Sequence, residues 1–169
     1  MRFNPPPRPA RDKIQSAAAL TRLVRRAQAG GRTVVFTNGC FDLLHAGHIK
    51  LLERARRGGD LLIVGLNSDR SVRALKGAGR PIVGQRDRAL LLAALQSVDY
   101  VTVFNERTPQ RLIEQLQPRV LIKGADWGAA DMIGRGTVER RGGRAIRLPL
   151  LKGYSTTKLL ERIRRGGTQ

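Results

Sequence analysis

The feature that most constrains the fold is an alternation of short apolar runs with longer helical patterns along the chain. Runs rich in Val, Ile and Leu predict buried strands at residues 32–37, 60–66, 99–104, 119–124 and 144–149. Helical patterns lie at residues 16–28, 47–57, 69–75, 85–96, from Thr108-Pro109 onward, 136–141 and 155–164. Strands that alternate with helices in this way form a parallel sheet with right-handed crossovers. We therefore predict an α/β fold that is doubly wound around five mainly parallel strands.

The length of 169 residues suits one domain, which can bury a sizeable core without disulfides. Residues 1–13 carry four of the prolines and predict a flexible tail, which leaves residues 14–169 as the single domain. The only cysteine, Cys40, has no partner for an internal disulfide. No apolar run approaches the ~18 residues of a spanning helix, and the first residues lack a signal core. We expect a cytoplasmic protein.

The net charge of +19 is compatible with a nucleic-acid partner. However, the basic residues are scattered along the whole chain, and the few aromatic residues form no basic–aromatic repeat that would stack on bases. A positive field also suits a polyphosphate substrate. We therefore expect small phosphorylated ligands and keep a basic nucleic-acid-binding module as the alternative.

Three loops are predicted at one edge of the sheet, because ligands of such folds bind beyond the carboxyl ends of the strands. The first strand leads into residues 37–39 and then to His45 and His48. The fourth strand leads into residues 123–127, and the fifth leads into residues 152–157. These loops together predict the ligand site.

His45 and His48 are the only histidines of the chain, and they flank Gly47 at a predicted helix start. Free backbone N–H groups and the helix dipole favour an anion at such a start, and imidazoles can donate hydrogen bonds to phosphate oxygens. A metal site is one alternative, but zinc needs three or four protein ligands and only Cys40 and Asp42 lie near. A purely structural histidine pair is the other alternative.

A second helix start, at residues 155–157, offers three hydroxyl groups beside free amides. Ser155 is a good N-cap by itself, but Lys158 stands where a reciprocal capping box would have Glu or Gln. The chain has no G-x-x-x-x-G-K-[ST] motif, no G-x-G-x-x-G motif after the first strand and no G-x-S-x-G motif. Two phosphate-friendly helix starts therefore predict a nucleoside triphosphate held without a P-loop.

Four motifs together resemble those of the HxGH nucleotidyltransferases, the cytidylyltransferase-like superfamily. TNGCFDLLHAGH at residues 37–48 resembles the first signature, and YSTT at residues 154–157 resembles the second. KGADW at residues 123–127 and the Lys76-Gly77 turn before Arg80-Pro81 also match. Within the superfamily the chain is most similar to the adenylyltransferases that make ADP-heptose, in a monofunctional form without a fused sugar kinase. The resemblance implies a Rossmann-like fold and a homodimer or higher homo-oligomer.

This resemblance implies transfer of AMP from ATP to D-glycero-β-D-manno-heptose 1-phosphate for lipopolysaccharide core biosynthesis, with Mg²⁺ held mainly by the phosphates and not by the protein. It implies catalytic roles for His45, His48 and Lys76, although Lys76 is also explained as a solvated lysine at a helix end. It implies nucleotide contacts from Thr37, Asn38, Gly39, Cys40, Phe41, Gly47, Lys123, Gly124, Asp126, Trp127, Tyr154, Ser155, Thr156 and Thr157.

Three further expectations concern single residues at this predicted site. Asp42 is expected to orient a histidine or to cap the helix that follows. Cys40 is expected to be a small buried residue and not a nucleophile, and Trp127 is alternatively explained as a cover for the core. For the whole protein, the alternatives are a CTP-dependent cytidylyltransferase acting on glycerol 3-phosphate or a similar polyol phosphate, and a non-catalytic nucleotide sensor.

Overall fold

The computed structural model describes residues 8–124, 132–149, 151 and 153–166. Five strands form one sheet in the order β3-β2-β1-β4-β5, and every pairing between neighbours is parallel. The predicted five-stranded parallel sheet is therefore confirmed. The strands are β1 (Val34–Gly39), β2 (Leu61–Asn67), β3 (Tyr100–Phe104), β4 (Val120–Gly124) and β5 (Arg144–Leu148).

The helices lie between the strands, close to where the sequence predicts them. They are α1 (Ala17–Ala29), α2 (Ala46–Arg56), α3 (Asp69–Lys76), α4 (Gln85–Ala94), α5 (Gln110–Leu116), α6 (Arg135–Glu139) and α7 (Thr156–Arg164). The predicted start of α5 was wrong by one residue, because Pro109 is its N-cap and no side chain caps it, whereas Thr108 was expected there.

Helices cover both faces of the sheet, since alternate residues of each strand point to opposite sides. Val35 of β1 belongs to a buried cluster with Leu52 of α2 and Leu92 of α4. Its neighbour Phe36 belongs to a second cluster that contains residues of α1, α5 and α6, among them Leu20 and Ile113. Two cores on the two faces of one parallel sheet make the fold doubly wound, as predicted.

Part of the segment that was expected to form a flexible tail packs against the domain. Residues 10–13 form a short 3₁₀ helix, and Ile14 forms a parallel bridge with Val101 of β3. The ammonium group of Lys13 donates to the carbonyls of Leu95 and Val98, at 3.2 and 2.9 Å. The rest of the predicted tail, residues 1–7, lies outside the described residues.

The strand order fixes where a ligand can enter. β1 pairs with β2 on one side and with β4 on the other, so the connections that leave β1 and β4 run to opposite faces of the sheet. A crevice opens at such a switch point, beyond the carboxyl ends of these two strands. Within the described ranges, no helix is long and apolar enough to cross a membrane.

Candidate functional site

His45 and His48 lie at the start of α2, directly beyond the carboxyl end of β1. His45 is the N-cap in an extended backbone conformation, and its Nδ1 accepts the backbone N–H of His48 at 3.4 Å. The two rings stack with centroids 3.8 Å apart and planes 16° from parallel. Because Nδ1 of His45 acts as an acceptor, the neutral ring carries its proton on Nε2. That N–H remains as a donor for a ligand.

His48 sits deeper than His45, and part of its ring is shielded from water. Its Nδ1 is buried without a hydrogen-bond partner, and its ring centroid lies 5.1 Å from that of Phe41. Burial and, to a smaller extent, the neighbouring His45 lower the pKa of His48, and a hydrogen bond with the backbone of Leu43 opposes the shift in part, so that the pKa is about 4. Burial also lowers the pKa of His45. Both rings are therefore neutral near pH 7 and act as hydrogen-bonding groups.

Asn38, near the end of β1, carries a second polar atom that lacks a partner. Its Oδ1 is buried and accepts no hydrogen bond. Asn38 pairs in register with Gly65 of β2, where a Cβ would come within 3.2 Å of the Asn38 Cβ and 2.6 Å of the Phe36 ring. Buried polar atoms without partners are rare in native proteins. Both such atoms found among the described side chains belong to residues that the sequence places in the site.

The start of α7 approaches the histidine pair from the other side of Gly47. A Cβ on Gly47 would come 3.0 Å from Nδ1 of His45 and 3.1 Å from Cβ of Tyr154. The Tyr154 ring lies 6.2 Å from the His45 ring, centroid to centroid. The absence of a side chain at residue 47 lets the two segments approach closely, since a Cβ there would be in tight contact with both. The two predicted phosphate sites are brought together at this contact.

Ser155 is the N-cap of α7, which confirms the prediction that it caps a helix. Its Oγ accepts the backbone N–H of Lys158 at 3.1 Å. Thr156 and Thr157 form the first turn of the helix. A phosphate contact from any of these three hydroxyls stays a prediction.

Lys76 faces α7 across a cleft. It is the exposed last residue of α3, and residues 76–80 form one wall of a cavity of about 420 Å³. The opposite wall is formed by Thr157, Leu160, Glu161 and Arg164 of α7. The cleft therefore joins the predicted catalytic lysine to the helix that carries the predicted phosphate-binding hydroxyls.

Asp42 has a different role from either expectation, because His45 caps α2 and the carboxylate of Asp42 contacts a different segment. Its Oδ2 accepts Nε of Arg80 at 2.5 Å, and its Oδ1 accepts the backbone N–H groups of Ile82 and Val83 at 2.7 and 3.0 Å. Burial alone would raise the pKa of Asp42, but these hydrogen bonds from Val83, Arg80 and Ile82 hold it below its usual value. The buried carboxylate anchors residues 80–83 to the β1–α2 loop.

Cys40 is half-buried, and burial raises the pKa of its thiol, opposed in part by Lys76 and Arg88. A protonated thiol is a poor nucleophile, which agrees with the expected role.

Arg88 of α4 is a residue that sequence reasoning missed. Its guanidinium is completely buried and donates to the backbone carbonyl of Cys40. One signal was present in the sequence: Arg88 stands four residues before Leu92, so it falls within the apolar stripe of its helix.

The other predicted contacts line the same edge of the sheet or lie outside the description. Thr37 is buried, Gly39 lies against the Phe41 ring, and Phe41 adopts a positive φ of 44° that turns the chain towards α2. Lys123 and Gly124 end β4. Asp126 and Trp127 lie outside the described residues. Among the residues that are described, no group of three or more His, Cys, Asp or Glu side chains is arranged to hold a metal ion.

Comparisons with known proteins identify the family. The sequence model of the cytidylyltransferase-like family matches residues 36–162. The bifunctional protein HldE of Geotalea uraniireducens is 53% identical over 154 residues, which cover 91% of this chain and 31% of that protein. HldE of Geobacter sulfurreducens is 51% identical over 151 residues, with 89% and 31% coverage. The chain thus spans about a third of the length of these relatives.

A solved structure is also similar. The lipopolysaccharide core biosynthesis protein from Thermoplasma volcanium matches with a TM-score of 0.60 and 26% identity, over 74% of this chain and 100% of that one.

Proposed function

The chain belongs to the cytidylyltransferase-like family, and from this premise we propose that it is an adenylyltransferase. The proposed reaction transfers AMP from ATP to D-glycero-β-D-manno-heptose 1-phosphate and yields ADP-heptose and pyrophosphate. Two lines support this substrate pair: the similarity to HldE proteins, and the similarity to a lipopolysaccharide core biosynthesis protein. We further propose that the enzyme acts in the cytoplasm as a homo-oligomer.

One observation carries the proposal: the stacked histidine pair and the start of α7 meet across Gly47 at the switch point of the sheet. Each helix start presents free N–H groups and the positive end of a dipole. Two such starts in contact, with Lys76 across a cleft from Thr157, suit a chain of several phosphates better than a single anion.

The chemistry asks the protein for positioning and charge stabilisation. An oxygen of the sugar 1-phosphate attacks the α-phosphorus of ATP, a new phosphoanhydride bond forms, and the bond to pyrophosphate breaks. Negative charge grows on the α-phosphate and on the leaving group in the transition state. His45 and His48 would donate hydrogen bonds to these oxygens, and Lys76 would supply the positive charge that the neutral rings lack.

Magnesium is assigned to the substrate in this proposal. Mg²⁺ binds oxygen ligands, keeps several waters and commonly bridges substrate phosphates, where it neutralises part of their charge. The described residues provide no carboxylate cluster for it. In this proposal the histidines, Lys76 and the groups at the start of α7 act on the same phosphates.

The function is tested by measuring pyrophosphate release with each nucleotide and each acceptor. The purified protein is incubated with ATP or CTP, together with D-glycero-β-D-manno-heptose 1-phosphate or glycerol 3-phosphate, and reactions without acceptor serve as controls. We expect turnover with ATP and the heptose phosphate only. Turnover with CTP only would reject the adenylyltransferase in favour of a cytidylyltransferase. Tight, salt-sensitive nucleic-acid binding without turnover, unaffected by His45→Ala, would instead favour the nucleic-acid-binding module.

A further inference from the structure

Arg88 lies on the buried face of α4, where packing alone calls for an apolar side chain. Its side chain is 0% exposed, and its neighbours Ala89, Leu92 and Ala93 on this helix are buried and apolar. Burying a guanidinium is costly unless its donors are all satisfied. A charged residue at such a position therefore needs a reason beyond filling space.

The guanidinium of Arg88 donates to four acceptors, which lie in three segments of the chain. Nε donates to the carbonyl of Val83 at 2.8 Å. Nη1 donates to the carbonyls of Cys40 and Asn67, at 2.5 and 2.9 Å. Nη2 donates to Oδ1 of Asp69 at 2.7 Å. The planar fork of donors in arginine makes this arrangement possible, whereas a lysine offers a single nitrogen.

These segments lead directly to the groups proposed to bind the triphosphate. Cys40 lies in the loop that ends at His45, the N-cap of α2. Asp69 is the first residue of α3, and Lys76 is its last. One buried group therefore contacts both the loop that carries the histidines and the helix that carries the lysine.

The same two regions are joined a second time by Asp42. Its carboxylate, only 1% exposed, accepts hydrogen bonds from Arg80 and from the backbone of Ile82 and Val83. Residues 80–83 follow the wall of the cleft that begins at Lys76. Both backbone polar groups of Val83 are thus held, since its N–H donates to Asp42 and its carbonyl accepts from Arg88.

We propose that Arg88 is a positioning residue for the nucleotidyl transfer, which holds the histidine loop and the lysine-bearing wall of the cleft at a fixed separation. This inference rests on the proposed function. Arg88 does not touch the reacting atoms; it acts through the placement of His45, His48 and Lys76. Because the reaction depends on positioning, a displacement of about 1 Å between these groups is expected to lower turnover by about 10²-fold.

A purely structural role predicts a different result, and Arg88→Lys distinguishes the two. Lysine keeps the positive charge and most of the stem but cannot reach all four acceptors. The control is Arg86→Lys, an exposed position on the same helix. kcat and KM for ATP are measured at a temperature where circular dichroism shows every variant to be fully folded. We expect kcat of Arg88→Lys to fall by about 10²-fold, with KM for ATP changed by less than about threefold.

The outcomes separate this inference from the proposed function. A parent protein and an Arg86→Lys control that release no pyrophosphate would reject the proposed function. A folded Arg88→Lys variant with the parental kcat would overturn the positioning role alone. Hydrogen exchange at the amides of Ile82 and Val83 tests, without any turnover, whether Arg88 holds residues 80–83 in place (the tie between them). Faster exchange in Arg88→Lys at unchanged global stability supports the tie, and parental exchange rates overturn it.

If Arg88→Lys does not fold, Asp42→Asn tests the second tie in its place. Asparagine has the same shape, but its amide nitrogen cannot accept the hydrogen bond from Arg80. We expect the same pattern, with a lowered kcat and faster exchange at Ile82 and Val83. A folded Asp42→Asn variant with parental values for both would overturn the proposal.

Discussion

The two helix starts that meet at the site differ in how firmly the rest of the protein holds them. In α2, Gly47, Leu52 and Ala55 are buried, and the last two belong to the core between the sheet and α4. In α7 no residue is buried, and Ile163 on its apolar face is 63% exposed. One half of the site is fixed by the hydrophobic core, and the other half is held by few apolar contacts.

This difference suggests that the two halves of the site respond differently to substrate binding. The core around α2 stabilises an arrangement that is unfavourable by itself, in which Nδ1 of His48 is buried without a partner. Elements with few buried contacts open at low free energy, and mobile parts of binding sites are drawn from them. We therefore expect the α2 half to stay in place and the α7 half to shift when the triphosphate binds.

The largest effect is expected from His48→Ala, in the α2 half. Loss of a hydrogen-bond donor to the developing charge should lower kcat by about 10²–10³-fold. The midpoint of thermal unfolding should change little, because the substitution also removes a buried nitrogen that has no partner. Pyrophosphate release and a thermal melt measure both quantities, and Lys50→Ala, at an exposed position of α2, is the control. Parental turnover in His48→Ala would contradict the proposal that His48 donates a hydrogen bond to the developing charge.

The second prediction concerns Gly47→Ala, which tests the contact between the start of α2 and the start of α7. Its methyl group would come 3.0 Å from Nδ1 of His45 and 3.1 Å from Cβ of Tyr154, so one of these neighbours has to give way by a few tenths of an ångström. We expect α7 to move, since it is the less firmly held, and kcat/KM for ATP to fall by up to about 10²-fold. Gly30→Ala is the control, because a Cβ there meets only ordinary contacts, at 3.5 and 3.6 Å. A parental kcat/KM in Gly47→Ala would show that the two halves need no close contact.

The pH dependence of stability tests how firmly the α2 half buries His48. Burial, together with the neighbouring His45, lowers the pKa of His48 from 6.5 to about 4. Between these values the unfolded chain binds a proton that the folded protein does not, so stability falls as the pH drops from 6.5 to 4. One titrating group changes the free energy of unfolding by at most about 1.4 kcal/mol per pH unit. Because the ring is not fully buried, the slope that His48 contributes should stay below this limit. Denaturant titrations of the parent and His48→Gln measure it.

Two results test this prediction: the sign of the slope of stability against pH, and the change in that slope in His48→Gln. His48→Gln should flatten the dependence between pH 6.5 and 4. The pKa of Asp42 is also held low, so its contribution persists above 3.8 and is lost only as the pH falls through the lower pKa of the folded state. An unchanged slope in His48→Gln would mean that the histidine is not shielded from water.

The smallest effect is expected at Ser155, in the weakly held half. Ser155→Ala removes the hydrogen bond to the N–H of Lys158 and should cost about 1 kcal/mol of helix stability. KM for ATP should rise by about fivefold with little change in kcat. Ser155→Asp is the matched variant, because aspartate caps equally well but repels phosphate. If Ser155→Asp behaves like the parent, Ser155 is a cap only; if it is worse than Ser155→Ala, its hydroxyl also faces the triphosphate.

The fold could be predicted from the sequence because each strand is a local apolar run. β1 shows where local reasoning stops: the predicted strand covers residues 32–37, but pairing with β2 extends it to Gly39 and delays its start to Val34. The histidine pair and the start of α7 could likewise be found from short motifs. Their contact across Gly47 depends on the close approach of residues far apart in sequence, which no local pattern reports.

The misses share one physical cause. Arginine usually indicates a solvated helix face, and proline-rich stretches usually indicate disorder. Arg88 is buried because three segments supply acceptors for it, and Lys13 is held by carbonyls more than 80 residues away along the chain. Asp42 was assigned to the neighbouring helix because its backbone partners at residues 82 and 83 lie 40 and 41 residues further along the chain. Such interactions are created by the tertiary fold.

The bridge between Ile14 and Val101 also affects how the protein behaves at high concentration. β3 ends the sheet on one side, and an open strand edge is a template on which another polypeptide can add. Val101 is occupied by the bridge, and its carbonyl accepts the N–H of Gln15 at 2.9 Å. The segment therefore covers part of this strand edge. A protein shortened to begin after Gln15 should aggregate more readily, and light scattering would measure this.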